Sequence, residues 1–456
     1  MIEVYVAPSA PDAATTLTPT LRNRYFPVDF LRGIGLLGIL LMNLPDFALP
    51  ESTVFYQQYA HPGDANYTAN FVISVLFAGK MRALFSILFG TGVLLFTGHK
   101  EAASAGSIVV ADLYYRRMLW LVVFGVIDGF LLLWYGDVLY WYGLVGLLLF
   151  PVRNVAPARL LVGAGLCMAF LAGQSLWRSA EITEKRAKHL TATALVKKHK
   201  KLTDEQQADT TAWKSAEKSV RYDPKKAAEE IKEMHGNYAD IWHHLRPLTA
   251  QFQSTYFYQG FWDALGMMLL GMALFKLGVL TNQVSRNTYW LLLLIGYGIG
   301  IPLGCWVIPH NVEFVHHFAR YIDTHWFSPE RFTYEIRRTS MVLGHIGLVM
   351  LVFRTGLLTG VFRVLAAVGQ MALSNYVLHT LICTTIFYGF GFGYFGQFQY
   401  YQTVYFVVAI WAVNILFSVV WLHYFRFGPL EWLWRSLTYW QRQPIKKPVF
   451  RKSSIA

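Results

Sequence analysis

Ionisable side chains inside long apolar segments are the strongest functional signal in this sequence. Asp29 and Arg32 stand three residues apart where an apolar run begins, so on a helix they share one face and can pair. Asn43 follows eleven residues after Arg32 and lies on nearly the same face. Charged groups are costly inside a membrane and usually mark a function or a stabilising pair. Asp29 and Asn43 are therefore candidate catalytic residues, and a surface salt bridge with a hydrogen-bonded asparagine is the alternative.

Further polar residues recur in the apolar segments that follow. Lys80, Arg82 and Ser86 lie in one segment, and two cations at such depth need acidic partners. The acidic residues available as partners are Asp29, Asp128 and Asp137. Asp137 also stands in a tight turn, where it can cap the helix that follows. The candidate substrate- or cofactor-binding residues are Arg32, Lys80, Arg82, Ser86, Arg117, Asp137, Asp263 and Asn375.

Two histidines are candidate general bases, because the pKa of an imidazole lies near neutrality. His379 stands four residues after Asn375, on the same helix face, and His61 lies in the loop after the first apolar segment. A core histidine whose hydrogen bonds are satisfied is the alternative for His379. No set of His, Cys and Asp has metal-ligand spacing, so no metal site is predicted, and no nucleotide-binding or serine-hydrolase motif occurs.

The composition places these residues in a membrane protein. Of the 456 residues, 55% are hydrophobic and 15% are charged, whereas soluble domains carry about 25% charged residues. The net charge of +13 comes from basic residues that flank apolar segments, a pattern typical of anchoring at an anionic leaflet and not of nucleic-acid binding. The lipid bilayer is the predicted partner. Cys167, Cys305 and Cys383 lie in apolar segments and are predicted to be small core residues.

Apolar stretches of about 20 residues can cross a bilayer as helices, and they predict an all-α polytopic transmembrane bundle of about ten helices. The predicted spans are 27–47, 70–97, 113–134, 138–153, 157–177, 257–280, 287–308, 338–354, 362–388 and 402–424. The second and ninth spans are long. The glycines near their middles, Gly79 and Gly369, predict a break or a tilt there.

The distribution of lysine and arginine between the spans predicts the orientation of the chain. Arg22 and Arg24 precede the first span and a basic segment follows the last, so both termini are predicted to be cytoplasmic. The predicted domains are a disordered tail without a signal peptide at 1–23, five spans in 24–177, a charged helical insertion outside at 178–250, five spans in 251–425 and an amphipathic basic tail along the inner leaflet at 426–456. The lysine-rich insertion is either a solvated helical hairpin or a phosphate-binding surface.

Six ordered blocks of the sequence carry a family resemblance. They are 28–43, 84–92, 133–139, 267–274, 370–376 and 425–432. Together they resemble the YeiB-like family of bacterial inner-membrane proteins, a family named for its unknown function. The resemblance implies a multi-pass protein of the bacterial inner (plasma) membrane.

The opening block is similar, more distantly, to that of the transmembrane acyltransferases, which include surface-polysaccharide O-acyltransferases and the lysosomal heparan acetyltransferase. These begin with an aspartate, an arginine three residues later and a polar residue about eleven beyond. That polar residue is a histidine in the polysaccharide enzymes and Asn43 here, whereas the heparan enzyme has a histidine in the next loop, where His61 lies. The resemblance implies a cytosolic acyl donor and an acceptor on the far side.

These signals combine into one leading hypothesis, a membrane O- or N-acyltransferase-like protein. It would move an acyl group from a cytosolic coenzyme A donor, such as acetyl-CoA, to an envelope or extracytoplasmic small molecule, lipid or glycan. Arg32, Lys80 and Arg117 would hold the anionic donor, Asn43 would orient the reacting centre, and His379 or His61 would act as base. The donor is a co-substrate, and no tightly bound cofactor is predicted. The alternatives are a transporter or exporter of a small anionic or lipidic substrate and a non-catalytic membrane scaffold.

Overall fold

The computed structural model describes residues 25–102, 107–325 and 328–447, so the tail predicted at 1–23 and residues 448–456 lie outside the described residues. The first ten helices are α1 (Phe26–Ala48), α2 (Glu51–Gln58), α3 (Ala65–Leu76), α4 (Lys80–Ala102), α5 (Ser107–Phe130), α6 (Leu139–Leu147), α7 (Pro157–Lys197), α8 (Asp204–Val220), α9 (Pro224–Met234) and α10 (Tyr238–Gln253). The others are α11 (Thr255–Lys276), α12 (Arg286–His316), α13 (Phe318–Thr324), α14 (Pro329–Thr355), α15 (Thr359–Gln370), α16 (Ala372–Phe387), α17 (Thr403–Tyr424) and α18 (Pro429–Tyr439).

The predicted all-α polytopic bundle is confirmed. Among the described residues, six helical segments are long and apolar enough to cross a membrane, namely Phe26–Ala48, Ala65–Gly98, Pro157–Lys197, Arg286–His316, Pro329–Thr355 and Tyr400–Tyr424, and the bent pair α15 and α16 makes a seventh. The other three predicted spans, 113–134, 138–153 and 257–280, fall on α5, α6 and α11, which are short or interrupted by polar residues. The number of ten crossings stays a prediction.

Both predicted breaks are present. The second span divides into α3 and α4 around Gly79, whose φ of +74° is a backbone conformation that favours glycine. The ninth span divides into α15 and α16, which meet at an angle of 78°. The break in this span frees the first backbone N–H groups of α16 in the middle of the bundle.

Helix α1 lies at the centre of the bundle, packed against α4, α15, α16 and α17. Its contact with α15 is a backbone contact, because a Cβ atom at Gly33 would overlap the carbonyl oxygen of Leu365, and one at Gly369 would overlap that of Asp29. Small residues of this kind let two membrane helices approach closely. This contact fixes the first turns of α1 beside the break between α15 and α16.

The bundle presents an apolar surface to its surroundings. Large apolar side chains are exposed along the helices that are long and apolar enough to cross a membrane. They include Val162, Leu166, Leu291, Leu294, Ile295, Val408 and Leu416. Soluble monomers rarely expose contiguous apolar patches of this kind. These helices therefore contact lipid, and the chain is an integral membrane protein.

The insertion is helical, as predicted. Helix α7 runs without interruption for 41 residues, to Lys197, which is about 62 Å at 1.5 Å per residue. The helix of the predicted fifth span therefore continues past the predicted domain boundary at residues 177 and 178, and that boundary stays a prediction. Segment 309–337, which lies between two predicted spans, is also mostly helical where the structure describes it, and Trp213 of α8 packs there against Phe318 of α13 with ring centroids 5.3 Å apart.

The insertion and the C-terminal helix lie toward opposite ends of α1. Helix α9 of the insertion packs against α2, which directly follows α1. Helix α18 packs against α5 and α16, where Trp434 Nε1 donates a 2.8 Å hydrogen bond to the Arg117 carbonyl. The predicted topology requires the insertion and the C-terminal helix to lie on opposite sides of the membrane. The membrane face that each of the two occupies stays a prediction. Trp434 is only 9% exposed. Helix α18 is therefore docked onto the bundle, in addition to having the basic and aromatic composition expected of an interfacial helix.

Candidate functional site

A cavity of about 180 Å³ lies where the N-terminal part of α1, the break between α15 and α16, and the docked α18 come together. We call it the arginine cavity. Its polar lining residues are Arg32, Arg117, Gln370, Glu431 and Arg435, and its walls include Phe85, Phe89, Phe96, Tyr114, Leu139, Tyr142, Leu373 and Tyr376. Three guanidinium groups against one carboxylate give the cavity an excess of positive charge.

The three arginines are held by aromatic and acidic neighbours. Arg32 pairs with Asp29 at 3.5 Å, which confirms the pairing predicted from their spacing. The Arg117 guanidinium lies 3.6 Å from the centroid of the Trp434 ring, and Arg435 stacks over Phe427 at 4.4 Å. Arg32 and Arg435 both act electrostatically on Arg117. The three cations therefore form one positive region beside the apolar walls, an arrangement that suits an anionic group attached to an apolar one.

The Glu431 carboxylate is bound to the first turn of α16. It accepts hydrogen bonds from the backbone N–H groups of Leu373 and Ser374, at 2.7 and 3.1 Å, and from the Ser374 hydroxyl at 2.5 Å. Burial raises the pKa of the Glu431 carboxyl, and the hydrogen bonds from Ser374 oppose that rise. Glu431 therefore fastens α18 to the helix break that forms one wall of the cavity.

Tyr376 connects the arginine cavity to a buried pair of carboxyl groups. Its hydroxyl oxygen accepts hydrogen bonds from Trp134 Nε1 and the Val138 N–H, both at 3.2 Å, and the hydroxyl is bonded to the side chain of Asp137. The Asp137 carboxylate also accepts the N–H groups of Leu139 and Tyr140, at 3.1 and 2.9 Å. The predicted capping of α6 by Asp137 is therefore confirmed.

The second carboxyl group of this pair belongs to Asp128. Both aspartates are fully buried, the two side chains interact, and Thr380 Oγ1 donates to Asp128 Oδ2 at 3.3 Å. The two carboxyl groups and Tyr376 therefore form one buried polar cluster beside the cavity.

Lys80 lies in a different cavity, of about 280 Å³, which we call the lysine cavity. Its lining includes Asp46, Tyr59, Asn70, Lys80, Asn311, Glu330, Tyr334 and Arg337. Asp46 and Arg32 are fourteen residues apart on α1, about 21 Å along the helix. Arg32, Lys80 and Arg117 were predicted to hold the anionic donor together. The structure therefore separates Lys80 from the two arginines.

A buried ion-pair network lies between α4, α11 and α14. Asp263 accepts a 2.8 Å hydrogen bond from Arg82 and another from Arg338, and Arg338 also donates to Glu335 at 2.6 Å. Arg82 donates to the Tyr334 hydroxyl at 3.3 Å as well. The predicted acidic partners of Arg82 are therefore wrong, because its partner is Asp263.

Ser86 belongs to a chain of polar contacts between the two cavities. The Ser86 and Tyr142 hydroxyls are 2.6 Å apart, and the Tyr142 hydroxyl donates to the Arg82 carbonyl at 3.4 Å. Tyr142 lines the arginine cavity, whereas Tyr334, which Arg82 contacts, lines the lysine cavity. The chain runs through Arg82, whose main-chain carbonyl accepts from Tyr142 and whose guanidinium donates to Tyr334.

The histidines and asparagines predicted to act in catalysis or in binding lie away from the arginine cavity. His379 is buried, with Nε2 bonded to the amide of Asn414, and Asn375 donates to the Ser418 hydroxyl at 2.8 Å. Both therefore join α16 to α17. Asn43 is half-buried on α1 and does not line the cavity, and His61 is exposed. The structure does not bring these residues together with Arg32 and Arg117.

Glu431, Arg435 and Tyr376 line the cavity but were not predicted from the sequence, although two of the blocks that carry the family resemblance contain Tyr376 and Glu431. The charged run of α14, which includes Glu330, Glu335, Arg337 and Arg338, was not predicted either. Five charges within nine residues are a usable signal, because they stand directly before an apolar stretch.

The fold and the buried charges define a polytopic helical membrane protein with two polar cavities. The chain belongs to the YeiB-like family of uncharacterised membrane proteins. Residues 274–441 match a family model described as a protein of unknown function, DUF418. The chain is 32% identical over 432 residues to the uncharacterized protein YeiB of Escherichia coli (strain K12), covering 91% of this chain and 96% of that protein.

A second relative supports the same assignment over nearly the full length. The uncharacterized protein YxaH of Bacillus subtilis (strain 168) is 27% identical over 454 residues, covering 95% of this chain and 99% of that protein. No solved structure matches the chain significantly. The more distant resemblance to acyltransferases stays a prediction.

Proposed function

We propose that this protein is a membrane acyltransferase-like protein whose arginine cavity binds a cytosolic acyl-CoA donor. The observation that carries the proposal is the convergence of Arg32, Arg117 and Arg435 on an apolar, aromatic-walled cavity. Guanidinium groups suit phosphates, which they bind through paired charge-assisted hydrogen bonds. In this proposal the chain lies in the bacterial inner membrane with both termini cytoplasmic, and the acceptor comes from the envelope side.

The size of the cavity limits which part of a donor it accepts. At about 180 Å³ it is smaller than the roughly 300–1,000 Å³ of pockets that enclose drug-sized ligands. The thioester end of the donor would therefore enter between the aromatic walls, while its phosphates contact the arginines. This assignment keeps Arg32 and Arg117 in the roles that the sequence suggested and replaces Lys80 with Arg435.

The acyl transfer needs a group that accepts a proton, and Tyr376 with the Asp137–Asp128 pair supplies one beside the cavity. In the step we propose, the acceptor hydroxyl or amine gives its proton to this group and forms a bond to the acyl carbon. The carbon–sulfur bond of the donor then breaks, and the proton passes to the departing thiolate. Atoms and charge balance, since the products are the acylated acceptor and free coenzyme A. General acid–base assistance of this kind contributes about 10²–10⁴-fold in rate.

Binding of acetyl-CoA to the purified protein in detergent tests the proposal, measured by isothermal titration calorimetry. Loss of one charge-assisted hydrogen bond costs about 1.5–3 kcal/mol, so Arg117→Gln and Arg435→Gln should each weaken binding at least about tenfold. Arg442→Gln is the matched control, because Arg442 is exposed on the same terminal segment and does not line the cavity. Tyr376→Phe should preserve binding and reduce thioester cleavage. Absence of binding to the wild-type protein would refute the proposal.

A transporter of a small anion is the second candidate function, and the polar chain between the two cavities favours it. Tyr142, Ser86, Arg82 and Tyr334 form successive contacts from one cavity to the other. Uptake of a radiolabelled anion into proteoliposomes would distinguish the two functions. Transport without thioester cleavage would favour the transporter, and cleavage without transport would favour the acyltransferase.

A further inference from the structure

The lysine cavity lies toward the other end of α1 from the arginine cavity, and it is lined by deeply buried cations. Lys80 is 1% exposed and Arg337 is 3% exposed. The Lys80 ammonium carries three N–H groups, and the hydrogen bond described for it goes to the Ser74 carbonyl at 2.5 Å. This carbonyl belongs to the last turn of α3, before the break at Gly79. Lys80 therefore has further donor capacity beside the cavity.

Two more buried donors line the same cavity. Asn70 is 2% exposed, and its Oδ1 accepts a 2.8 Å hydrogen bond from the Ser74 hydroxyl, which fixes the direction of the amide. Within the described residues, neither Asn70 Nδ2 nor Arg337 Nε has a hydrogen-bond acceptor. Buried donors in proteins are nearly always satisfied, so each such group calls for a partner.

The acceptors around the cavity are mostly engaged already. Glu330 accepts from Arg337 at 2.5 Å and from Asn311 at 3.1 Å, so both its carboxylate oxygens are used. The Tyr59 oxygen accepts from Asn311 at 3.3 Å. Asp46 is the other acidic residue that lines the cavity. In the part of the chain that the structure describes, Asn70 Nδ2 and Arg337 Nε stay without an acceptor even though Asp46 lines the same cavity.

We propose that the lysine cavity is a second ligand-binding site, which takes the carboxylate or phosphate group of a small molecule or of a lipid. A group of this type supplies two or more acceptor oxygens and negative charge, which the donors of Lys80, Asn70 and Arg337 need. At about 280 Å³ the cavity holds the anionic group and little more. This site is independent of the acyl donor site, because it uses none of the residues of the arginine cavity.

Calorimetric titration of the purified protein with inorganic phosphate and with acetate, at constant ionic strength set by sodium chloride, tests the proposal. The wild type should bind one of these anions saturably, with one anion per chain. Lys80→Met should weaken that binding at least tenfold. Asn70→Asp keeps the acceptor for Ser74 and adds a negative charge, so it should also weaken anion binding at least tenfold. With two variants, the test does not depend on the folding of either one alone. Lys276→Met is the matched control, because Lys276 is a half-buried lysine bonded to the Val155 carbonyl at 2.7 Å, away from this cavity.

A parallel measurement in nanodiscs separates a lipid headgroup from a soluble anion. Thermal stability is compared in phosphatidylcholine nanodiscs and in nanodiscs that also contain phosphatidylglycerol. If free anions bind the wild type and Lys80→Met abolishes that binding, the ligand is a soluble anion. If only phosphatidylglycerol raises the thermal stability, and only when Lys80 is present, the ligand is a lipid headgroup. The proposal is overturned if no probe produces a response, or if Lys80→Met and Lys276→Met respond as the wild type does. Acetyl-CoA binding is measured separately, so failure of either proposal is recognised without the other.

Discussion

Asp263→Asn is the substitution whose effect follows most directly from the structure. Asp263 is the shared partner of Arg82 and Arg338, and Arg338 is only 1% exposed. Removing one member of a buried ion pair costs about 3–5 kcal/mol, because it leaves the other charge without its counter-charge. The Arg82 side chain is 35% exposed, so solvent screens its share to at most about 1 kcal/mol. Because Arg338 keeps Glu335 as its second partner, we expect Asp263→Asn to lower the free energy of unfolding by about 3 kcal/mol, the lower end of that range.

Titration with sodium dodecyl sulfate, followed by tryptophan fluorescence, measures this change in the detergent-solubilised protein. Asp323→Asn is the control, because Asp323 also accepts two arginine hydrogen bonds, both 2.8 Å from Arg186, but is 39% exposed. It should cost at most about 1 kcal/mol. In a double-mutant cycle, Asp263→Asn and Arg338→Met should couple by about 1–3 kcal/mol. Equal losses for Asp263→Asn and Asp323→Asn, or additive effects in the cycle, would refute the reasoning.

Three further substitutions probe other parts of the structure. Gly33→Ala should lower the free energy of unfolding by about 1–3 kcal/mol through overpacking against α15. Gly165→Ala is the control, because a Cβ atom there would lie in open space and should not destabilise the protein. Thermal unfolding measures both variants. Burial raises the pKa of Glu230 in the insertion from 4.5 to about 7. The folded chain therefore binds the proton more tightly, and its stability falls as pH rises from 4.5 to 7, by at most about 3 kcal/mol. Glu230→Gln should flatten that profile and raise stability at pH 8, unlike Glu229→Gln. Glu431→Gln should loosen α18, seen as faster limited proteolysis of the C-terminal segment; unchanged cleavage contradicts this.

The features that sequence predicted well depend on neighbours along the chain. The spacing of Asp29 and Arg32 determines that they share a helix face, so their pairing could be predicted. Gly79 and Gly369 could be recognised as break points because each interrupts an apolar stretch longer than a membrane requires. Asp137 could be recognised as a cap because it stands in a turn directly before an apolar helix.

The features that sequence missed depend on contacts between distant segments. Asp263 is separated by 181 residues from Arg82 and by 75 from Arg338, and no local spacing relates them. Residues 329–337 carry several charges, so a search for apolar segments left them outside the predicted spans. In the structure Glu335, Arg337 and Arg338 are buried, where Asp263 and the paired residues of α14 neutralise them. Hydropathy alone therefore underestimates the length of a helix whose charges are paired inside the bundle.

The ion-pair network also bears on the choice between the two proposed functions. Arg82, Asp263 and Arg338 connect α4, α11 and α14 between the two cavities. A transporter would have to separate these helices in every cycle, and separation of a buried ion pair costs several kcal/mol. An acyltransferase needs only an acyl group to reach its acceptor, so the network can stay closed. The network therefore favours the acyltransferase, and it predicts that Asp263→Asn would speed anion flux in a transporter while reducing only the stability of an acyltransferase.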